Sequence, residues 1–175
     1  AYRRPDVFIG VASPMDKHGF MNMGLCISHE QDALEDADIV VLEVNPNVPV
    51  VYGDASVHIS DVDFIVESRR EIPMDPVYES TEIQKVIGQN IADLIEDGST
   101  IQLGIGGIPD AAAKQLIHKR DLGVHSEMFT PSMAMLYEAG VITGARKNID
   151  KKQMVCTLLT SRPEVFEFVD HNPAV

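Results

Sequence analysis

The sequence has no tryptophan, and its two cysteines, Cys26 and Cys156, lie far apart. Such a pair supplies neither a disulfide framework nor metal-ligand spacing, which excludes disulfide-stapled and zinc-finger classes. Long apolar runs are also missing, since none approaches the roughly 20 residues that a helix needs to span a bilayer. The early run Val7–Ala12 is too short for a signal peptide. We therefore expect a soluble, cytoplasmic protein.

Positive charge is scarce as well. Lys and Arg number 14 against 27 Asp and Glu, which gives a net charge of −13. Nucleic acids and anionic membranes attract positive potential, so neither is expected as a main partner. A few cations can still hold an anionic ligand at one site. One local basic cluster exists, and we interpret it as a solvated loop or, alternatively, as a phosphate contact: Arg146, Lys147, Lys151 and Lys152.

What the sequence does contain is an alternation of strand and helix patterns. The composition, 45% hydrophobic and 23% charged over 175 residues, is typical of one globular domain or two small ones. Buried-type strands at Val7–Ala12 and 38–44 enclose a short helix at 29–37. Residues 73–82 begin with a proline-rich stretch that opposes both helix and strand, and we predict a linker there. The pattern indicates an α/β fold with parallel or mixed sheets and flanking helices.

The second half opens with a clear helix signal. Thr81 and Gln84 fit a capping box, and apolar residues at helical spacing extend the prediction over 82–97. A strand at 99–103, a glycine loop, a helix that starts at Pro109 and a strand at 122–127 follow. This order predicts a β-α-β unit with parallel strands.

The glycine loop and Glu127 are the strongest candidates for a site. Ligands of parallel sheets bind beyond the carboxyl ends of the strands, where both features are predicted to lie. Glycines let a backbone approach a ligand closely, and a helix start favours anionic oxygen. His125 is two residues from Glu127 and is expected on the same face. The pattern alone also permits a tight turn with a solvated glutamate, or a dinucleotide-binding module in which Pro109 occupies the third glycine position.

Several motifs resemble the acetyl-CoA hydrolase/transferase family, in particular its 4-hydroxybutyrate (acetate/butyrate-type) CoA-transferase group. The resemblance is carried mainly by GIGGIPDA at 104–111 and DLGVHSEM at 121–128. Further agreement runs through most of the chain, at PMDKHGF (14–20), EVN (43–45), AGVITG (139–144) and DHNP (170–173).

The resemblance implies a two-domain enzyme that transfers coenzyme A from an acyl-CoA to a short-chain carboxylate. Glu127 would be the nucleophile and form a glutamyl-CoA thioester. The family's hydrolases offer the alternative of acyl-CoA hydrolysis. Coenzyme A would be a substrate, with no metal and no permanently bound cofactor, and the enzyme would be a homo-oligomer. The implied CoA and substrate contacts are Gly104, Ile105, Gly106, Gly107, Ile108, Pro109 and Asn172.

By the same resemblance, residues 1–72 correspond to the latter part of the first transferase domain. Residues 83–175 correspond to the first part of the second domain, which carries the nucleophile. Both ends of the chain interrupt an α/β pattern, so we expect an incomplete fold. Uncovered sheet edges and apolar faces favour association between chains. We therefore expect these 175 residues to self-associate and to have little activity alone.

Overall fold

The computed structural model describes residues 4–77, 79–160 and 162–175. The chain divides into two compact units, the first up to Pro73 with Phe166–Pro173, the second Met74–Val165 with Ala174 and Val175. The helices of the described residues are α1 (Glu30–Asp36), α2 (Glu82–Asp93), α3 (Gly107–Gln115), α4 (Pro131–Glu138) and α5 (Pro163–Val169). The strands are β1 (Val7–Ala12), β2 (Phe20–Asn22), β3 (Ile39–Val44), β4 (Ser56–His58), β5 (Phe64–Glu67), β6 (Thr100–Ile101), β7 (Gly123–Val124), β8 (Met128–Phe129) and β9 (Leu158–Leu159). The α/β prediction is confirmed.

The first unit contains a parallel sheet in the order β1-β3-β5. Val7 pairs with Ile39 and Val41 with Phe64, so the three strands run side by side in one direction. Strands β2 and β4 form a separate antiparallel pair. The core of this unit consists of apolar side chains from these strands, from α1 and from the residue that follows β2: Phe8, Ala12, Met21, Met23, Leu34, Val40, Leu42 and Val57.

The outer strands of this sheet are less buried than their composition predicts. Val7 and Ile9 of β1 are exposed, whereas Phe8 between them is buried. Every residue of β5 is exposed. Side chains alternate between the two faces of a strand, so β1 covers the core with one face only. The prediction of a fully buried β1 is therefore wrong, because this unit has too few helices to cover both faces of a parallel sheet.

The second unit contains the predicted β-α-β order. Strands β6 and β7 are parallel, with Thr100 opposite Gly123 and Ile101 opposite Val124, and α3 connects them along the chain. Strands β8 and β9 form a second parallel pair. Among the described residues, no helix combines the length and apolar character that crossing a membrane requires.

Helix α2 begins as predicted and ends early. The Thr81 hydroxyl accepts from the Gln84 amide at 3.3 Å, and the Gln84 side chain accepts from the Thr81 amide at 2.8 Å. These two bonds form the predicted capping box. The helix ends at Asp93 rather than at residue 97, because Leu94 and Ile95 donate to carbonyls three residues earlier. Such bonds tighten and close the last turn.

The face of α2 that packs on α3 is made of small residues. Gly88 and Ala92 are buried, whereas Ile83 and Leu94 of the apolar stripe are 74% and 84% exposed. A Cβ atom at Gly88 would lie 2.7 Å from the backbone of Ala111 and Ala112 in α3. The missing side chain thus lets the two helix backbones approach closely.

We predict that Gly88→Ala destabilises the protein. In an exposed helix position this change would add about 1 kcal/mol of stability through helix propensity. Here the new methyl group meets the α3 backbone, and overpacking costs about 1–3 kcal/mol. We expect a net loss of about 1–2 kcal/mol in the free energy of unfolding, measured with a chemical denaturant. Asn90→Ala, at an exposed position of the same helix, is the control. Equal stability of the two variants would contradict the proposed close approach.

Candidate active site at the glycine loop and Glu127

Glu127 lies at a bend between β7 and β8. The sequence predicts one continuous strand over 122–127, but β7 contains only Gly123–Val124, and the next strand, β8, begins after Glu127 because the chain changes its pairing partner there. Strand β7 pairs with β6, whereas β8 pairs with β9. The Glu127 carbonyl accepts from the amides of Thr157 and Leu158 at 3.0 and 2.9 Å. The backbone of the glutamate is therefore held by hydrogen bonds while its side chain is exposed.

Ser126 connects the glutamate to the glycine loop. Its buried hydroxyl donates to the Leu103 carbonyl at 3.2 Å, and its amide donates to the Val155 carbonyl at 2.9 Å. If the register of β6 and β7 continues, Gly104 follows Leu103 and lies next to Glu127. The fold thus brings the glycine loop and Glu127 to the same edge of this small sheet, as the sequence predicts. His125 is exposed, like Glu127.

The glycine loop leads directly into α3. The helix begins at Gly107 with Gly106 as its N-cap, so Pro109 is the third helical residue and not the first. The earlier start is possible because the first amides of a helix have no intrahelical carbonyl, and a proline there loses no hydrogen bond. Gly106 has φ 118°, a conformation that side chains rarely adopt. A Cβ atom at Gly104 would have open space around it, with Pro109 nearest at 4.0 Å.

A cavity of about 250 Å³ opens at this loop. Gly104, Ile105, Gly106 and Pro109 of the predicted site line it, together with Thr130. Gly106 is the N-cap of α3 and Thr130 is the N-cap of α4, and neither supplies a side-chain hydrogen bond to its helix. Two helix N-termini, which carry partial positive charge, therefore begin at one cavity.

Charged residues around the cavity are paired. Lys114 Nζ lies 2.6 Å from Asp110 Oδ2, and Arg162 donates to Glu164 at 2.8 Å. Ser132 Oγ donates to the other oxygen of Asp110 at 2.8 Å. The sequence did not single out Thr130, Asp110 or Arg162 as site residues. A signal existed for Asp110, which ends the glycine motif, but the position of Arg162 depends on long-range folding.

The chain is similar to known proteins along almost its whole length. Residues 2–77 match the acetyl-CoA hydrolase/transferase N-terminal domain. The 4-hydroxybutyrate coenzyme A transferase of Clostridium kluyveri is 39% identical over 97% of this chain, which spans 40% of that protein. The butyryl-CoA:acetate CoA-transferase of Anaerostipes caccae is 38% identical over 96% of the chain and 39% of its own length. The crystal structure of 4-hydroxybutyrate CoA-transferase from Porphyromonas gingivalis has a TM-score of 0.90 and 37% identity, with 97% of this chain and 43% of that one covered.

The resemblance to the acetyl-CoA hydrolase/transferase family is confirmed. The chain spans about 40% of the length of the curated relatives it matches. The family match ends at residue 77. Glu127 and the glycine loop lie beyond it, in the part of the chain that only the relatives and the solved structure cover. The assignment of 1–72 and 83–175 to the two transferase domains stays a prediction.

Asn172, the remaining residue of the predicted site, belongs to the first unit. Its side-chain amide donates to the Phe168 carbonyl in α5 at 2.9 Å. The neighbouring Asp170 accepts from the Val50 amide with its side-chain carboxylate, and the His171 amide donates to the Val50 carbonyl, both at 2.8 Å. These contacts give Asn172 a role in ending α5. Its family-based role near the thioester stays a prediction.

Lys147 corrects the interpretation of the basic cluster as a solvated loop. It is 3% exposed, and its ammonium donates to the carbonyls of Val124 and Gln153 at 2.9 and 2.7 Å. Burial lowers the pKa of Lys147 below its usual value. Close by, burial raises the pKa of the Cys156 thiol to about 12. The lysine thus joins β7 to the segment after residue 152.

We predict that Gly106→Ala destabilises the protein while Gly104→Ala does not. Alanine at φ 118° is strained, and such a conformation costs about 1–3 kcal/mol. Gly104 lacks a positive φ and has room for a methyl group, so it is a matched control in the same loop. Urea unfolding of both variants tests this expectation. Similar midpoints would show that the loop relaxes without strain.

We also predict that Lys147→Met lowers the free energy of unfolding by about 2 kcal/mol. Methionine keeps most of the aliphatic stem, but the Gln153 carbonyl loses its charged donor, and such bonds contribute about 1.5–3 kcal/mol. The control is Lys151→Met, since Lys151 is exposed. The buried role is refuted if the two variants unfold at the same denaturant concentration.

Proposed function

We propose that this chain is part of an enzyme that transfers coenzyme A between an acyl-CoA and a short-chain carboxylate. The observation that carries the proposal is the placement of Glu127. Its backbone is fixed at a sheet edge next to the glycine loop, and its carboxylate is exposed. Within the described part of the chain, that carboxylate makes no hydrogen bond or ion pair. A positioned carboxylate with unoccupied lone pairs is suited to act as a nucleophile.

The reaction would proceed through covalent intermediates on Glu127. One carboxylate oxygen attacks the acyl carbonyl, and the C–S bond breaks to give an acyl-glutamyl anhydride and CoA thiolate. The thiolate then attacks the glutamyl carbonyl of the anhydride, which releases the first carboxylate and leaves a glutamyl-CoA thioester. A second carboxylate reverses these two steps, so it leaves as a new acyl-CoA and the Glu127 carboxylate is restored. No redox change occurs, and each half-reaction is complete before the next begins, which gives ping-pong kinetics.

The glycine loop would stabilise the charge that develops on the carbonyl oxygen. The first amides of α3, after the N-cap Gly106, have no intrahelical acceptor. Amides directed at a developing oxyanion contribute substantially to catalysis, about 2.7–4 kcal/mol for one donor in a known case. Residues Gly104 to Pro109 would lie along the thioester. The family resemblance implies that Asn172 would also contact it. Coenzyme A enters and leaves as substrate, and we assign no resident cofactor.

The relatives' names support the choice of substrates. Those reported above are named for 4-hydroxybutyrate, butyryl-CoA and acetate. We extend these short carboxylates to this chain as candidate acceptors. The dinucleotide-binding alternative has less support, because Pro109 replaces the third glycine and the relatives are transferases.

Hydrolysis of acyl-CoA is a second candidate, because the matching family description covers hydrolases as well as transferases. Water would then attack the glutamyl-CoA thioester in place of the second carboxylate. Release of free CoA from acetyl-CoA in the absence of any acceptor acid would favour the hydrolase. Formation of a new acyl-CoA that depends on added carboxylate would favour the transferase.

We predict that Glu127→Gln abolishes formation of the covalent intermediate. Glutamine has nearly the same shape, but its amide is a poor nucleophile. The complete enzyme, of which this chain is proposed to be a part, is incubated with butyryl-CoA. Intact mass detects the CoA adduct, which borohydride reduction and peptide mapping then locate. We expect the adduct on Glu127 in the parent and none at this position in the variant. Glu138→Gln, at an exposed position on α4, is the control and should keep the adduct. An adduct retained by Glu127→Gln, or absent from the parent, would overturn the assignment.

A further inference from the structure

The hydrogen-bond ladder between β6 and β7 is regular up to His125. The Gly123 amide donates to the Ser99 carbonyl at 2.9 Å. Two residues later, the His125 amide donates to the Ile101 carbonyl at 3.1 Å. A strand in a parallel pair directs every second amide at the same neighbour, and the bonds are evenly spaced. The next amide in this series is therefore that of Glu127.

At this next step a side chain takes the place of the backbone amide. The acceptor that continues the series is the Leu103 carbonyl, but among the residues that the structure describes no backbone bond joins it to the Glu127 amide. The Leu103 carbonyl instead accepts from the Ser126 hydroxyl at 3.2 Å. Both Leu103 and Ser126 are buried, and a buried carbonyl without a donor is unfavourable. The serine thus satisfies the acceptor that would otherwise extend the ladder to the glutamate.

Ser126 is itself anchored from the opposite side. Its amide donates to the Val155 carbonyl at 2.9 Å, so its backbone belongs to the new strand pairing while its hydroxyl reaches back to Leu103. After the serine, the Glu127 carbonyl accepts from two amides at the start of β9. Within the described part of the chain, the Ser126 hydroxyl supplies the last hydrogen bond between residues 122–127 and the strand that leads to the glycine loop. The spacing of the loop and the glutamate therefore depends on this hydroxyl.

We propose that Ser126 is a positioning residue for the nucleophile. By occupying the Leu103 carbonyl, its hydroxyl ends the ladder one step before Glu127 and ties the glycine loop to the glutamate. Without the hydroxyl, the Leu103 carbonyl needs another donor, and the Glu127 amide is the next one in the series. The added ladder bond would draw the glutamate backbone into the sheet and move its carboxylate, and a displacement of about 1 Å can cost about a hundredfold in rate. The inference rests on the proposed CoA transfer and names a residue on which its first step depends.

The test measures adduct formation by the complete enzyme with and without the hydroxyl. Single-turnover reactions with butyryl-CoA give the rate at saturation and the concentration at half of that rate. We expect Ser126→Ala to lower the saturating rate by about tenfold to a hundredfold. The half-saturating concentration should change by less than about threefold, because a residue that acts through the nucleophile leaves substrate binding intact. Ser126→Thr keeps a hydroxyl and should hold the rate within about threefold of the parent.

Thr143→Val is the control for the loss of a hydroxyl that has only a structural role. Thr143 Oγ1 donates to Asp121 Oδ1 at 3.0 Å in the same unit, outside the cavity lining. Urea unfolding should show that Thr143→Val and Ser126→Ala both lose stability. Only Ser126→Ala should form the adduct slowly, whereas Thr143→Val should keep the parent rate.

Four results would overturn the inference. They are a Ser126→Ala rate within about threefold of the parent, a change confined to the half-saturating concentration, equal slowing in Thr143→Val, and a Ser126→Thr rate as low as that of Ser126→Ala. If Ser126→Ala does not fold by circular dichroism, Ser126→Cys replaces it, because a thiol has a similar shape but is a weak donor. A parent-like rate in that variant would again refute the role of Ser126.

The parent enzyme separates this inference from the proposed function. If the parent and Ser126→Ala form the adduct on Glu127 at the same rate, only the role of Ser126 is removed. If the parent forms no adduct, the proposed reaction is removed and this inference with it.

Discussion

The change of strand partner around Glu127 is the constraint on which the candidate site depends. Before the glutamate, Ser126 is tied by its hydroxyl to Leu103 and by its amide to Val155. After it, β8 continues alongside β9. The chain passes from one parallel pair to another at a single bend, and the bend is fixed from both sides. Lys147 adds a bond to the Val124 carbonyl just before this stretch, so it supports the same segment from within the unit.

The electrostatic character of the site differs from that of the whole chain. The sequence carries a net charge of −13, yet in the cavity wall Lys114 compensates Asp110, Arg162 compensates Glu164, and two helices begin there. An acidic protein needs local positive potential wherever it is to bind an anion, and helix N-termini supply it without adding cations. Lys147 of the basic cluster has a structural role instead, because it is buried and its ammonium donates to two backbone carbonyls. Counting surface charge from the sequence therefore says little about where an anion can bind.

Local signals in the sequence predicted local structure well. The capping box at Thr81, strand β1 and strand β3 have the expected positions because each depends on neighbouring residues. The glycine loop and Glu127 were predicted together because motif and strand order place both at one sheet edge, and their roles stay a prediction. What failed depends on distant contacts: the buried face of α2, the burial of Lys147 and the interrupted strand at Glu127. The sequence likewise does not show that the Thr130 hydroxyl leaves its own helix uncapped, since that depends on the fold.

The interruption at Glu127 also has a chemical consequence. A glutamate on a loop would be exposed but mobile, and a mobile nucleophile loses the advantage of a fixed geometry. In the middle of a continuous strand its backbone would be fixed, but its carboxylate would have to share a sheet face with neighbouring side chains. A bend between two short strands satisfies both requirements. The Glu127 carbonyl accepts from the amides of Thr157 and Leu158. Its side chain is exposed at a bend, where the strand is interrupted. The failed prediction of one strand over 122–127 thus marks the place where regular structure gives way to a candidate reactive group.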